Sequence, residues 1–334
     1  MLKKPRAVVF VHGLAKKPAP DKVLELWLMG IGRGNPRPDV FDPPNEGIDL
    51  VDKGVPHVFN YYADVFYGTD YETDYTSYFE AESEGAEAEI AADNLDTPPP
   101  VAPQPATPRE REFLDKFQAK LEANVTTLPP AAAATSPEPG AELELASLLP
   151  APLREAIIKK AAMEAYYFLF DKQYTRKDGT SFKVRSELRN RLLAALQAAA
   201  TKGEKIVLIT HSMGTMVGYD VLRNCPGCPP IDTFITLGSP LGVKEVQAEL
   251  RAPGVKDIDF PAATTRRWIN IYDPLDPICG ADPKFANDYR AVDGKRVEDI
   301  QESNWSKWRH SITHYFAGTR FRKTLREALG PALS

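Results

Sequence analysis

The sequence predicts an α/β fold in which a mostly parallel sheet of about six strands is covered by helices. Short apolar runs recur along the chain, and helical patterns lie between several of them. Residues whose side chains can take part in catalysis, such as serine, aspartate and histidine, follow the ends of several of these runs. Alternating strands and helices are typical of a parallel sheet buried on both faces, and such sheets build their sites at the carboxyl ends of the strands.

The individual elements follow from hydrophobic periodicity. The helix predicted over residues 186–200, SELRNRLLAALQAAA, has leucines at helical spacing. The strands predicted in chain order are 7–11, 58–62, 205–210, 232–237 and 267–272, with a sixth near 296–300.

The length of 334 residues is compatible with one domain, 1–334, that carries an insertion over residues 67–182. No Lys or Arg occurs from 54 to 108, and residues 98–108 and 127–140 are rich in Pro and Ala. We expect this insertion to be partly disordered, with extended linkers around one amphipathic helix at 109–123.

A second helix is predicted at 148–170, LLPAPLREAIIKKAAMEAYYFLF, with apolar residues most of the way round. It has two interpretations: a helix packed permanently on the core, or a lid over a pocket that meets a lipid surface.

Composition excludes some classes of partner. The formal net charge of −5 gives no general reason to expect nucleic-acid binding. No apolar run reaches membrane-spanning length, and the basic start MLKKPR leads into AVVFV, which we interpret as a core strand rather than a signal peptide. We therefore expect a cytoplasmic protein.

Three cysteines give no even disulfide framework, which fits a reducing compartment. Cys225 and Cys228 form CPGC, which can be a redox pair or half a zinc site, but the proline and glycine favour a plain loop. We expect no metal and no cofactor.

Residues 205–222, KIVLITHSMGTMVGYDVL, predict a strand, a sharp turn holding Ser212, and a helix. Such a turn exposes a serine nucleophile and aims the amides of the following helix at developing negative charge. Gly214 and Gly218 supply small residues after Ser212, whereas Thr210 stands where the usual pattern has a first glycine. The alternative is a tight turn with Ser212 as helix N-cap.

Near the N-terminus, AVVFVHGL ends in His12 and Gly13. Gly13 permits close approach of the backbone, so the N–H groups of Leu14 and Met213 together form a candidate oxyanion hole. His12 is expected to fix this loop.

The candidate acid and base follow in the C-terminal part. Asp276 is preferred as the acid because it lies within the turn after the strand at 267–272, and Asp273 is the fallback. In the order serine, acid, histidine, the base is His310 or His314. The alternative for these two histidines is a surface pair on one helix face.

These motifs resemble the α/β-hydrolase superfamily, in particular lipase-like bacterial esterases. The resemblance rests on VHGL at 11–14, THSMGT at 210–215, ITLGSPLG at 235–242 and WINIYDPLDPI at 268–278, and it does not cover the insertion. In such proteins a C-terminal histidine is often followed by a short spacer and an aromatic or apolar pair, which HSITHYF resembles from His310 to Phe316. The resemblance therefore implies His310 as the base, with His314 as second choice.

The resemblance implies cleavage of a carboxylic ester or thioester through an acyl-enzyme on Ser212. The expected partner is a small-molecule or lipid acyl ester. The alternatives are a phospholipase or lipase that contacts a membrane surface, and a catalytically silent interaction module. The sequence leaves the oligomeric state open.

Overall fold

The computed structural model describes residues 6–13, 15–71, 102–126, 151–252, 254–279, 282–305 and 309–330. The strands of the described residues are β1 (Ala7–Val11), β2 (His57–Asn60), β3 (Gln173–Thr175), β4 (Ser181–Lys183), β5 (Ile206–His211), β6 (Ile231–Leu237), β7 (Ile258–Asp259), β8 (Thr264–Tyr272), β9 (Tyr289–Arg290) and β10 (Val297–Gln301). The helices are α1 (Pro20–Gly32), α2 (Ala63–Tyr67), α3 (Pro108–Thr126), α4 (Ala151–Leu169), α5 (Val184–Lys202), α6 (Gly214–Asn224), α7 (Lys244–Leu250), α8 (Ile312–Ala317) and α9 (Thr319–Leu329).

Six of these strands form one sheet in the order β10-β8-β6-β5-β1-β2. Each neighbouring pair in it is parallel. The prediction of an α/β class with a mostly parallel, six-stranded sheet is therefore confirmed.

The central strands are buried on both faces. Every residue of β1, β5 and β6 is buried, which is why they read as continuous apolar runs rather than alternating ones. In β1, Val9 faces the core layer formed with α3 to α6, whereas Val8 and Phe10 face the layer formed with α1, α8 and α9. The sheet is thus covered by helices on both sides.

The described part of the insertion packs on the first of these layers. The predicted helix at 109–123 is confirmed as α3, and its Phe113, Phe117 and Leu121 are buried. In α4, Lys159 is the one exposed residue between Ile157 and Leu169, so this stretch lies within the core. Residues 148–150, the acidic run beyond 71 and the linker at 127–140 lie outside the described residues, where the prediction of disorder stays untested.

A short hairpin, β3–β4, lies at the end of the insertion and was absent from the predicted elements. Among the described residues, no helix combines the length and apolarity that crossing a membrane requires.

Candidate active site

Ser212 lies between the last residue of β5 and the first turn of α6. Its φ is 54°, in the left-handed region that residues other than glycine rarely adopt. The Ser212 N–H donates a 2.9 Å hydrogen bond to the carbonyl of Leu237, the last residue of β6. Backbone strain of this kind costs about 1–3 kcal/mol and is concentrated at functional sites.

Two glycines allow the end of β1 to approach this turn. A Cβ on Gly13 would lie 2.7 Å from Cβ of Ser212, and a Cβ on Gly214 would lie 2.3 Å from the carbonyl oxygen of His12. Neither position has room for a side chain. The HG motif and the serine turn are therefore in direct contact.

Thr210 stands where the motif predicted from the sequence would have its first glycine. Gly218, which has no side chain, leaves room for the Thr210 side chain. A Cβ on Gly218, one turn into α6, would lie 3.0 Å from Cγ2 of Thr210. The Thr210 hydroxyl donates to the carbonyl of Ile235 at 3.2 Å. The threonine is thus accommodated without moving the turn.

Asp276 and His310 are in contact at the carboxyl edge of the sheet. Nδ1 of His310 lies 2.7 Å from Oδ2 of Asp276, and both side chains are almost fully buried. The other carboxylate oxygen accepts a hydrogen bond from the N–H of Ile278 at 2.8 Å. Tyr315 donates its hydroxyl to Oδ2 at 2.7 Å.

Gly238 connects the serine turn to this pair. It follows Leu237 directly, has φ 54°, and a Cβ on it would lie 2.7 Å from Oδ2 of Asp276 and 2.9 Å from the His310 ring. The end of β6 thus holds Ser212 through one carbonyl and leaves space for the acid and histidine beside it.

His211 and His310 bring the serine turn and the histidine loop together from the other side. Their ring centroids are 4.6 Å apart, and Nε2 of His211 lies 3.0 Å from the carbonyl oxygen of His310. Ser212 is fully buried, and within the described part of the chain its Oγ has no hydrogen-bond partner.

Asp273 holds the chain that leads into His310. Its carboxylate accepts hydrogen bonds from the N–H of Asn304 at 2.7 Å and from Nη1 of Arg309 at 3.2 Å. Arg309 has φ 56° and directly precedes His310. Burial raises the pKa of Asp273, and the nearby Arg309 cation opposes that effect.

His314 lies on α8, where its ring centroid is 3.6 Å from that of Trp305. Burial lowers its pKa to about 3, with further lowering by the cations Arg37 and Arg33. Its imidazole is therefore neutral near pH 7. The structure places His310, and not His314, against Asp276.

Of the two expected oxyanion donors, Leu14 lies outside the described residues and Met213 lies within them. Met213 stands at the N-terminus of α6, and its side chain lines a cavity of about 10 Å³ with residues of α2, α4, α5 and α6. This cavity is lined by Tyr62, Phe66, Glu164, Phe168, Leu188, Met213, Met216 and Val217.

His12 fixes the loop after β1, as expected. Its Nε2 accepts a hydrogen bond from the N–H of Tyr62 at 2.9 Å, and the Tyr62 hydroxyl donates to the carbonyls of His12 and Gly13 at 2.9 and 3.1 Å. The His12 imidazole is thus held by a backbone hydrogen bond and by stacking on the Tyr62 ring.

In the described ranges, no group of three or more His, Cys, Asp or Glu side chains is arranged to hold a metal ion. Cys225 and Cys228 are free thiols, and burial raises the pKa of Cys228 to about 12.

The sequence analysis missed four residues of this region: Gly238, Arg309, Tyr315 and Glu164. Tyr315 lies in the HSITHYF segment, so its aromatic hydroxyl close to the candidate base was an available signal. Nothing in the sequence marks the other three.

No protein-family model matches the chain, and no curated protein shows significant similarity to it. What the structure defines is an α/β fold with a six-stranded parallel sheet. At the carboxyl edge of that sheet lie Ser212, Asp276 and His310, which follow β5, β8 and β10.

Proposed function

We propose that this chain is a serine hydrolase of the α/β-hydrolase type that cleaves a carboxylic ester or thioester through an acyl-enzyme on Ser212. The observation that carries the proposal is the buried 2.7 Å contact between Nδ1 of His310 and Oδ2 of Asp276, beside a serine in a left-handed turn. An acid that fixes one ring nitrogen of a histidine leaves the other to serve as base.

In the first half-reaction, Oγ of Ser212 attacks the acyl carbon while Nε2 of His310 takes its proton. Collapse of the tetrahedral intermediate breaks the bond to the alcohol or thiol, which leaves with the proton from His310. Water then attacks the acyl-enzyme while His310 accepts a proton from this water. Collapse of the second tetrahedral intermediate breaks the bond to Oγ of Ser212, which takes the proton back from His310 as the free acid leaves. The chemistry requires no metal or organic cofactor.

Asp276 holds the ring of His310 through Nδ1 and stabilises the imidazolium formed in each step. The N–H of Met213, and that of Leu14 as second donor, stabilise the oxyanion. One such donor contributes about 3 kcal/mol to the transition state. Met213 follows the serine at the N-terminus of α6. The first backbone N–H groups of a helix have no acceptor within the helix and can donate to another group.

The missing hydrogen bond at Oγ of Ser212 is compatible with this mechanism. Catalytic hydrogen bonds are often long or unaligned without substrate and tighten in the Michaelis complex. A serine hydroxyl moves between staggered positions by rotation about one bond.

The same observation favours a second candidate, a catalytically silent interaction module. Ser212 is fully buried, and its hydroxyl has no partner among the described residues. The membrane-acting lipase has weaker support, because α4 is buried on nearly every side between Ile157 and Leu169 and offers little apolar surface to a lipid.

Labelling with a fluorophosphonate probe tests the proposal. We expect the wild type to be labelled, Ser212→Ala to be unlabelled, and His310→Ala to be labelled far more slowly. His314→Ala should retain labelling. Circular dichroism and thermal unfolding check that each variant is folded.

Ser239→Ala is the matched control. Ser239 is a buried serine after the neighbouring strand β6, but its Oγ accepts the N–H of Leu241 and bonds to the Thr215 hydroxyl. The Ser239→Ala variant should be labelled as fast as the wild type. A folded wild type that reacts neither with the probe nor with activated esters would favour the silent module.

A further inference from the structure

Glu164 is a buried carboxylate that the proposed chemistry does not use. It lies on α4, within the insertion, and only 3 % of its surface is exposed. Its Oε1 accepts two hydrogen bonds, from the N–H of Ala15 at 2.8 Å and from the hydroxyl of Tyr67 at 2.8 Å. The insertion therefore contacts the backbone of the loop that follows β1.

The Glu164 contact lies at a residue with a strained backbone, Ala15, which is also buried. Its φ is 75°, which an alanine adopts only at a cost of about 1–2 kcal/mol. Two residues earlier, Gly13 is packed against Ser212 with no space for a Cβ. The loop is therefore held by the serine turn on one side and by Glu164 on the other.

Hydrogen bonds and cations around Glu164 partly offset the effect of burial on its carboxylate. Burial raises the pKa of Glu164 to about 7, while the Ala15 N–H, Tyr67 and the cations Lys17 and Lys160 act in the opposite direction. Lys17 and Lys160 are themselves buried. A carboxylate accepting a backbone N–H makes a hydrogen bond about twice as strong as a neutral one.

The same helix also lines a small cavity together with Met213. Glu164 and Phe168 are among the residues that line this cavity. One helix of the insertion thus contacts Ala15 and shares a cavity with the residue that follows Ser212.

We propose that Glu164 is a positioning residue of the active site, which fixes the backbone at Ala15 by accepting its N–H. In the sequence, the proposed donor Leu14 lies between Gly13 and Ala15. This inference rests on the proposed function. It assigns to the insertion a part in transition-state stabilisation, not only in covering the pocket.

Three substitutions separate position from charge. Glu164→Gln keeps an oxygen that accepts both hydrogen bonds but removes the charge. Glu164→Asp keeps the charge but withdraws the carboxylate by about 1.5 Å, the length of one C–C bond. Glu164→Ala removes the acceptor altogether.

The control is Glu110, a second buried glutamate of the insertion with the same kind of partners. Its Oε2 accepts the N–H of Ala106 at 2.8 Å and the hydroxyl of Tyr166 at 2.8 Å. Glu110→Ala should lower stability without changing turnover in the folded fraction.

The readouts are kcat and KM for a p-nitrophenyl ester, together with hydrogen exchange of the peptide covering residues 7–17. We expect kcat to fall roughly 10²-fold in Glu164→Ala and Glu164→Asp, with little change in KM, because misplacement of a catalytic group by about 1 Å costs about that much. Glu164→Gln should stay within about tenfold of wild type. Exchange in the peptide should accelerate in the Ala and Asp variants only.

A kcat for Glu164→Asp equal to wild type, or a loss in Glu164→Gln as large as in Glu164→Ala, would overturn the inference. An equal loss of kcat in Glu110→Ala would do the same, since it would trace the effect to general loosening of the insertion. If Glu164→Ala does not fold, the comparison of kcat between Glu164→Asp and Glu164→Gln tests the inference by itself. Failure of the proposed function is visible separately, as wild-type turnover that Ser212→Ala leaves unchanged.

Discussion

Tyr315 donates its hydroxyl to Oδ2 of Asp276 at 2.7 Å, the oxygen that also faces His310. The same hydroxyl accepts the N–H of Asp273 at 3.1 Å, so it links two segments of the acid turn. Burial, reinforced by the Asp276 charge, raises the pKa of Tyr315 well above its ordinary value. The phenol therefore remains protonated, and a donor, at neutral pH.

Tyr315→Phe removes this donor while preserving the ring. Hydrogen bonds to charged groups contribute about 1.5–3 kcal/mol, so we expect kcat to fall about tenfold or more as Asp276 loses one of its fixed contacts. Steady-state kinetics with an activated ester measure the loss. Tyr289→Phe is the control, because Tyr289 is equally buried but donates to the carbonyl of Leu241 at 3.0 Å. Equal kcat values for the two variants would contradict the role assigned to Tyr315.

We expect Asp276→Asn mainly to lower turnover and Asp273→Asn mainly to lower stability. The first removes the carboxylate that orients His310, and kcat should fall about 10³- to 10⁴-fold with a small loss of stability. The second leaves the Arg309 guanidinium buried without its charged partner, which typically costs 3–5 kcal/mol of stability. Turnover and urea unfolding of both variants provide the measurement. If Asp273→Asn had the larger loss of kcat at matched folding, the acid would have to be reassigned to Asp273.

His314 should contribute to stability and not to turnover. Its pKa is about 3 in the folded state against 6.5 ordinarily, mainly because of burial. Between these values the unfolded chain binds a proton that the folded chain does not, so this group's contribution is present above pH 6.5 and is lost on acidification. His314→Asn should keep kcat within a few-fold and unfold with a weaker pH dependence between pH 4 and 6.5. A kcat as low as that of His310→Ala would show that His314 is the base.

Glu164 should produce the opposite pH dependence. Its pKa is raised to about 7 from 4.5, so the folded chain retains a proton that the unfolded chain has lost in this interval. The stability that wild type has relative to Glu164→Gln should therefore decrease by roughly 3 kcal/mol as the pH rises from 4.5 to 7. Tyr67, Lys17 and Lys160 surround the carboxyl group. Burial raises the pKa of Tyr67 well above its ordinary value and lowers that of Lys160 to about 8, so both pKa values lie above this range.

Urea unfolding at several pH values checks this prediction, with Glu110→Gln as control. The pKa of Glu110 is lowered to about 2 because, against the effect of burial, it accepts hydrogen bonds from Lys172, Ala106 and Tyr166. Its contribution is therefore constant above pH 5. A difference between wild type and Glu164→Gln that does not change with pH would contradict the prediction.

Periodicity was sufficient for the sheet and the main helices, because buried parallel strands and helices of this length have distinctive patterns. The hairpin β3–β4 was missed although Asp178 and Gly179 form a turn dipeptide between Tyr174 and Phe182. Its strands have three residues each, which is too short for an alternation to stand out.

For the candidate site, the sequence named preferred residues but not the contacts that distinguish them from their alternatives. Asp273 and Asp276 are both followed by proline, so the local sequence hardly separates them. Their different partners, Arg309 and His310, come from a loop more than thirty residues later. Glu164 is the clearest case, because nothing about this carboxylate, one of two in α4, indicates that its partner is Ala15, which precedes the insertion by about fifty residues.

The strand order β2-β1-β5 also determines when the molecule can be assembled during synthesis. Ala7 pairs with Ile206, so β1 has an open edge until β5 has left the ribosome. Closing so long a loop is slow, and the apolar β1 remains available for wrong pairing in the meantime. Because His310 lies still further along, it meets Asp276 only after the chain has been synthesised beyond residue 310, so the proposed acid–base pair forms later than the β1–β5 pairing.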